Sequence, residues 1–105
     1  IIKVKPPVAA IELENAKKAL SNNNATFENL KDRIQHVMKA AFHGRRLVVF
    51  SGGTGKSTDE LYNEVRAIRD GGGNGSIIGR NTFQRPREEA LKMLADIIAI
   101  YKGKK

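Results

Sequence analysis

Three short strand-like segments recur along the chain, and each is followed by a stretch with helical periodicity. They are Ile1-Ile2-Lys3-Val4-Lys5, Leu47-Val48-Val49-Phe50 and Ser76-Ile77-Ile78. Strands that alternate with helices pair in parallel and are covered by those helices, which defines an α/β fold. In a parallel βα repeat all strand ends meet on one face, where active sites sit. Here the first strand carries Lys3 and Lys5, the second runs into Ser51-Gly52-Gly53, and the third into Gly79-Arg80-Asn81.

The intervening segments read as follows. Residues 1–5 alternate as a strand, with Lys3 and Lys5 on one side and Ile2 and Val4 on the other, and Pro6-Pro7 stops it. Residues 8–20 are expected to be helical, with Ala9, Leu13, Ala16 and Leu20 near one face, before a turn-rich break at Ser21 through Asn24. A second helix is expected from a Thr26 cap to a Gly44 stop, its apolar stripe formed by Phe27, Leu30, Ile34, Val37 or Met38, and Ala41 or Phe42. The apolar run at 46–50 suits a strand buried on both faces. Ser57-Thr58-Asp59-Glu60 has the spacing of a capping box, opening a helix with a Leu61, Val65, Ile68 stripe that ends at Gly71-Gly72-Gly73. Residues 76–79 form a short buried strand. Pro86 then starts a last helix at its first position, with Glu88 and Glu89 in the first turn and an apolar face of Leu91, Leu94, Ile97 or Ile98, and Tyr101.

The 105 residues suffice for one small domain. Three strands alone leave two open edges, and a full (β/α)₈ barrel needs ~250 residues. The chain therefore reads as three βα units, the last three of such a barrel, and 1–105 as the C-terminal part of one domain. The absence of cysteine excludes disulfides and thiolate zinc sites, and the two histidines, His36 and His43, are too few for most metal sites. His36 reads as a surface residue, and His43 as a helix C-terminal residue favouring the dipole. No apolar run approaches the ~20 residues of a membrane span, and no secretory signal is visible, so a cytoplasmic protein is expected. The net charge of +8 raises the question of nucleic acid, but the basic residues are scattered apart from Arg45-Arg46 and the Lys102-Gly103-Lys104-Lys105 tail. Aromatics are only 6% and do not interleave with them, which argues against base stacking.

The loop Gly52-Gly53-Thr54-Gly55-Lys56-Ser57-Thr58 invites comparison with a P-loop. Aligned on Gly55-Lys56-Ser57, the first glycine of G-x-x-x-x-G-K-[ST] falls on Phe50, so the match fails. Two readings remain: a phosphate loop of another kind, donating backbone N–H groups, or a structural glycine turn. Gly79-Arg80-Asn81 is either a strand-end turn with a surface arginine or, beside the first loop, a guanidinium clamp on phosphate. Lys3 and Lys5 are either solvated lysines or line a barrel interior, where burial near another cation frees a neutral amine to attack a carbonyl and form a Schiff base. Tyr62 and Tyr101 sit in helical stripes and read as packing residues.

With these residues in place, the chain resembles the C-terminal part of a class I fructose-bisphosphate aldolase of the archaeal and bacterial type. The resemblance rests on Ile2-Lys3-Val4-Lys5, on Val49-Phe50-Ser51-Gly52-Gly53, on Gly75-Ser76-Ile77-Ile78-Gly79-Arg80-Asn81-Thr82-Phe83-Gln84 and on Ala90-Leu91. It spans nearly the whole chain, with 8–44 as an insertion similar to that of the longer bacterial members. It implies a (β/α)₈ barrel in which Lys3 is the Schiff-base lysine on the sixth strand, and in which Ser51, Gly52, Gly53, Gly79 and Arg80 hold substrate phosphate after the seventh and eighth. It implies a proton-transferring tyrosine and an acidic partner on earlier strands, outside these residues, so that the piece by itself is expected to be inactive. It further implies cleavage of fructose 1,6-bisphosphate in glycolysis and gluconeogenesis, without metal or other cofactor, with a phosphorylated sugar as partner rather than nucleic acid or membrane, and a homo-oligomeric state. The alternatives are a related Schiff-base lyase or transferase acting on another phosphosugar, and a basic nucleotide- or nucleic-acid-binding module.

Overall fold

A computed structural model describes residues 1–8, 14–22, 29–52 and 56–105. The described elements are β1 (Ile2–Val4), α1 (Glu14–Asn22), α2 (Leu30–Ala40), β2 (Val48–Ser51), α3 (Thr58–Asp70), β3 (Gly75–Ile77), α4 (Arg80–Phe83) and α5 (Arg87–Tyr101), with a 3₁₀ turn at Phe42–Gly44 between α2 and β2. The strands pair in parallel in the order β1-β2-β3, with Ile2 opposite Val48, Val4 opposite Phe50, and Phe50 opposite Ser76. The expected mixed α/β class is therefore present. Among the described residues, no helix is long and apolar enough to cross a membrane.

Alternation along the strands fixes which face the helices cover. Val48 and Phe50 are fully buried and pack with Ile34 and Met38 of α2 and Ile68 of α3, while Ile2 and Val4 flank them. Ser76, in register with Phe50, meets the Tyr101 hydroxyl of α5 on that same side. A second cluster joins Leu61, Tyr62 and Val65 of α3 to Met93, Ile97 and Ile100 of α5. Helix α3 thus bridges the two clusters, with its expected stripe of Leu61, Val65 and Ile68 each 1% exposed. Burying one such side chain is worth about 1.5–3 kcal/mol, so this stripe is a main tie between helices and sheet.

Local signals set the ends of α3. The Ser57 side chain accepts the Glu60 N–H while the Glu60 carboxylate accepts the Ser57 N–H, a complete capping box. At the other end, Gly71 lies against α2: a Cβ there would stand 2.8 Å from both Ile34 Cγ2 and the Lys31 carbonyl. Asn74 then returns the chain to the sheet, its amide oxygen accepting the Val48 N–H at 2.9 Å and its own N–H donating to the Val48 carbonyl at 3.0 Å.

Several boundaries differ from the expectations. Helix α1 includes Ser21 and Asn22, the first two residues of the expected break; residues 9–13, with Ala9 and Leu13, lie outside the described residues, as do Asn23, Asn24, Thr26 and Phe27. Asn29 caps α2 by accepting the Asp32 N–H. That helix ends at Ala40, and Phe42 and His43 take positive φ in the following turn, so His43 does not sit on the last turn of α2. The third strand is Gly75–Ile77, starting one residue before and ending two before the expected 76–79, and Ile77 is 46% exposed because it points away from the helices. Pro86 is the cap of α5, not its first residue. The buried face of α5 is Met93, Ile97 and Ile100; Leu91, Leu94 and Ile98 are exposed. Helix α5 is apolar on two sides, so periodicity alone could not choose between them.

Candidate functional site

The face of the sheet opposite the helices carries Lys3, Val49, Ser51, Gly75 and Ile77, by alternation from the covered positions. At the C-terminal ends of the strands lies a cavity of about 360 Å³ lined by Lys3, Lys5, Ser51, Gly52, Gly79 and Arg80, with Ile77 and Phe83 as its apolar wall. Each strand end contributes: β1 brings the two lysines, β2 brings Ser51 and Gly52, and the turn from β3 into α4 brings Gly79 and Arg80. The structure thus gathers every expected site residue it describes; Gly53 lies outside the described residues. Val49 on this face is only half-buried, which corrects the expectation that the middle strand is buried on both sides.

Two chemical expectations change. Lys3 and Lys5 are both exposed, so burial by this chain does not desolvate either amine. The Gly52 N–H donates to the Ile77 carbonyl at 2.9 Å and is therefore spent on the sheet, not available to an anion. Space does not demand glycine at 52: a Cβ would meet Asn81 Nδ2 at 3.4 Å and the Ile77 carbonyl oxygen at 3.6 Å, both ordinary contacts.

Beyond the 53–55 segment, the chain is held firmly at Lys56. Its N–H donates to Asn81 Oδ1 at 2.8 Å and its carbonyl accepts from Arg85 Nη2 at 3.2 Å. Asn81 is a buried polar residue, 4% exposed. The Arg85 guanidinium also donates through Nε to the Asn81 carbonyl at 2.7 Å and through Nη1 to Thr58 Oγ1 at 2.9 Å. Sequence reading placed Asn81 in a notable turn without giving it a role, and did not single out Arg85. Two of the acceptors of Arg85 lie 27 and 29 residues away along the chain, so no local spacing announces it.

Two further cavities flank these segments. One, of about 490 Å³, shares Lys5, Ser51 and Gly52 with the first and adds Pro6, Pro7 and the Lys56–Glu64 ion pair. The other, of about 290 Å³, lies between α3 and α5 beside Tyr62, Asp96, Lys105 and Arg85. Burial, and then the hydrogen bond to Asp96, push the Tyr62 phenol up to about 12. The hydrogen bond from Tyr62, and then that from Lys105, hold the Asp96 carboxyl below its usual value. Tyr62 and Tyr101 are packing residues with satisfied hydroxyls, and His36 is exposed. Among the described residues no group of three or more His, Cys, Asp or Glu could hold a metal ion.

The chain matches no protein-family model, no curated protein and no solved structure.

Proposed function

We propose that the chain is the C-terminal three βα units of a Schiff-base aldolase barrel acting on fructose 1,6-bisphosphate, with Lys3 as the amine and Arg80 and the Ser51–Gly53 loop as the phosphate grip. The observation that carries this reading is the convergence of Lys3, Ser51, Gly52, Gly79 and Arg80 on one cavity at the strand ends. Supporting it are the parallel order β1-β2-β3 and the packing of α2 and α3 on the face of the sheet that carries Val48 and Phe50. The exposed Leu91, Leu94 and Ile98 of α5 are a surface that a neighbouring helix of a closed barrel would cover.

The chemistry asked of the site is definite. The Lys3 amine adds to the ketose carbonyl, and loss of water leaves an iminium. The iminium draws the electron pair of the adjacent carbon–carbon bond as the neighbouring hydroxyl gives up its proton, releasing glyceraldehyde 3-phosphate and leaving an enamine. Protonation of the enamine and hydrolysis return the amine and dihydroxyacetone phosphate. Arg80 supplies a fork of donors suited to a phosphate. Because Gly52 spends its N–H on the sheet, Ser51 would contribute through its hydroxyl.

The test is borohydride trapping of the intact protein with dihydroxyacetone phosphate, with the adduct located by mass spectrometry. Modification of Lys3, and its loss in Lys3→Met without loss of folding, is the expected result. An adduct on Lys5 or Lys56 with none on Lys3 removes the catalytic assignment, and no adduct anywhere removes the Schiff-base reading. Trapping with another phosphoketose but not with dihydroxyacetone phosphate moves the protein to a different phosphosugar.

A further inference from the structure

We infer that Arg85 is a positioning residue that locks the two halves of the cavity rim into one anion cradle, an inference that rests on the phosphate-binding reading above. The segment between β2 and α3 and the turn from β3 into α4 are far apart in sequence, yet they are stitched at both ends. At the near end the Gly52 N–H holds the Ile77 carbonyl at 2.9 Å. At the far end the N–H of Lys56 holds Asn81 Oδ1 at 2.8 Å. Arg85 closes the second end, with one guanidinium reaching the Lys56 carbonyl, Thr58 Oγ1 and the Asn81 carbonyl at 3.2, 2.9 and 2.7 Å.

The geometry separates two jobs that sequence reading would give to any arginine here. Arg80 lines the cavity; Arg85 does not, bordering instead the cavity between α3 and α5 and turning one donor from each of its three nitrogens to protein. Its planar fork fits three acceptors from two segments, which the single ammonium of a lysine cannot do. The Asn81 carbonyl it holds belongs to the residue after Arg80, and the Lys56 carbonyl it holds lies just ahead of the Ser57 cap of α3. Fixing both sets the distance between Arg80 and Ser51 across the cavity. A 1 Å error in such a distance weakens a two-sided grip on phosphate while leaving Lys3, on β1, untouched.

The test compares wild type, Arg85→Ala and Arg85→Lys in the intact protein, with inorganic phosphate binding by calorimetry and borohydride trapping of unphosphorylated dihydroxyacetone as paired readouts. Arg85→Ala should weaken phosphate binding about tenfold with dihydroxyacetone trapping unchanged, and Arg85→Lys, which keeps charge and bulk and guards against a folding failure, should weaken it nearly as much. Unchanged phosphate binding in both variants overturns the inference. So does an equal fall in both readouts, which would mark a purely structural arginine. A wild type that traps the imine but binds no phosphate overturns the cradle alone; one that does neither overturns the aldolase reading and the cradle with it.

Discussion

The phenol of Tyr62 on α3 donates a 2.7 Å hydrogen bond to the carboxylate of Asp96 on α5. Lys105 reaches the same carboxylate at 3.0 Å and lies 5.1 Å over the Tyr62 ring. The contact joins two helices that also share an apolar cluster and a 2.8 Å hydrogen bond from Arg69 Nη1 to the Ile100 carbonyl, and it sits at the edge of the cluster that contains Tyr62 itself.

This pairing makes stability depend on pH in the alkaline range. The phenol is pushed up to about 12 in the folded protein, above its ordinary value of 10.0. A proton held more tightly by the folded state stabilises it fully below pH 10, and that contribution is lost as pH rises from there toward 12. The depressed Asp96 carboxyl acts at the other end: its contribution is present above its ordinary value of 3.8 and is lost as pH falls through the lowered one. Tyr62→Phe should cost about 1 kcal/mol at neutral pH, the usual worth of one hydrogen bond, and should flatten the alkaline limb. Urea unfolding at pH 8, 10 and 11 checks both. If wild type and variant lose the same stability between pH 10 and 11, Tyr62 is not the alkaline group.

A second prediction concerns Gly73. A Cβ at this position would fall 2.6 Å from Ile68 Cγ2, 2.9 Å from Phe50 Cε2 and 3.0 Å from the Ile68 carbonyl oxygen. Ile68 and Phe50 are fully buried, so neither can step aside. Gly73→Ala should destabilise the fold by about 1–3 kcal/mol, the usual cost of overpacking. Gly75→Ala is the control: its nearest neighbour would be Val49 Cγ1 at 3.7 Å, on the face of the sheet opposite the helices. Thermal melts of the two variants should separate clearly, and equal melting points would show that α3 and β3 can spread apart at no cost.

What could be read from residues alone follows the range of the interactions. The capping box at Ser57 and Glu60 and the Leu61, Val65, Ile68 stripe are local patterns, and both stand where the spacing put them. The strand ends were legible because Gly52 and Gly79 each follow an apolar run, and parallel pairing brings such ends together. Which side of α5 is buried was not legible. Met93, Ile97 and Ile100 face the α3 cluster while Leu91, Leu94 and Ile98 repeat at similar spacing on the outside, and only tertiary contact distinguishes them. Arg85 and Asn74 were missed for a related reason. Each satisfies backbone groups 26 to 29 residues away, through bonds that leave no periodic trace.

The last prediction separates Arg80 from its surroundings. Arg80 opens α4, is exposed and lines the cavity with Lys3. Because it is exposed, Arg80→Ala should leave unfolding nearly unchanged, as for surface substitutions generally, within about 0.5 kcal/mol. Removing a charge-assisted contact to phosphate should nonetheless weaken a phosphosugar by ~1.5–3 kcal/mol, which is roughly ten- to a hundredfold in affinity. An unphosphorylated sugar offers no such acceptor, so its binding should barely move. The added Lys5 ammonium in the same cavity keeps some attraction for anions, which holds the loss at the lower end of that range at low salt. Binding titrations of dihydroxyacetone phosphate and dihydroxyacetone against wild type and variant give the comparison directly. Equal losses for the two ligands would mean that Arg80 shapes the cavity without gripping phosphate, and the anion would then have to be sought beside Lys5 and Lys56 in the adjoining cavity.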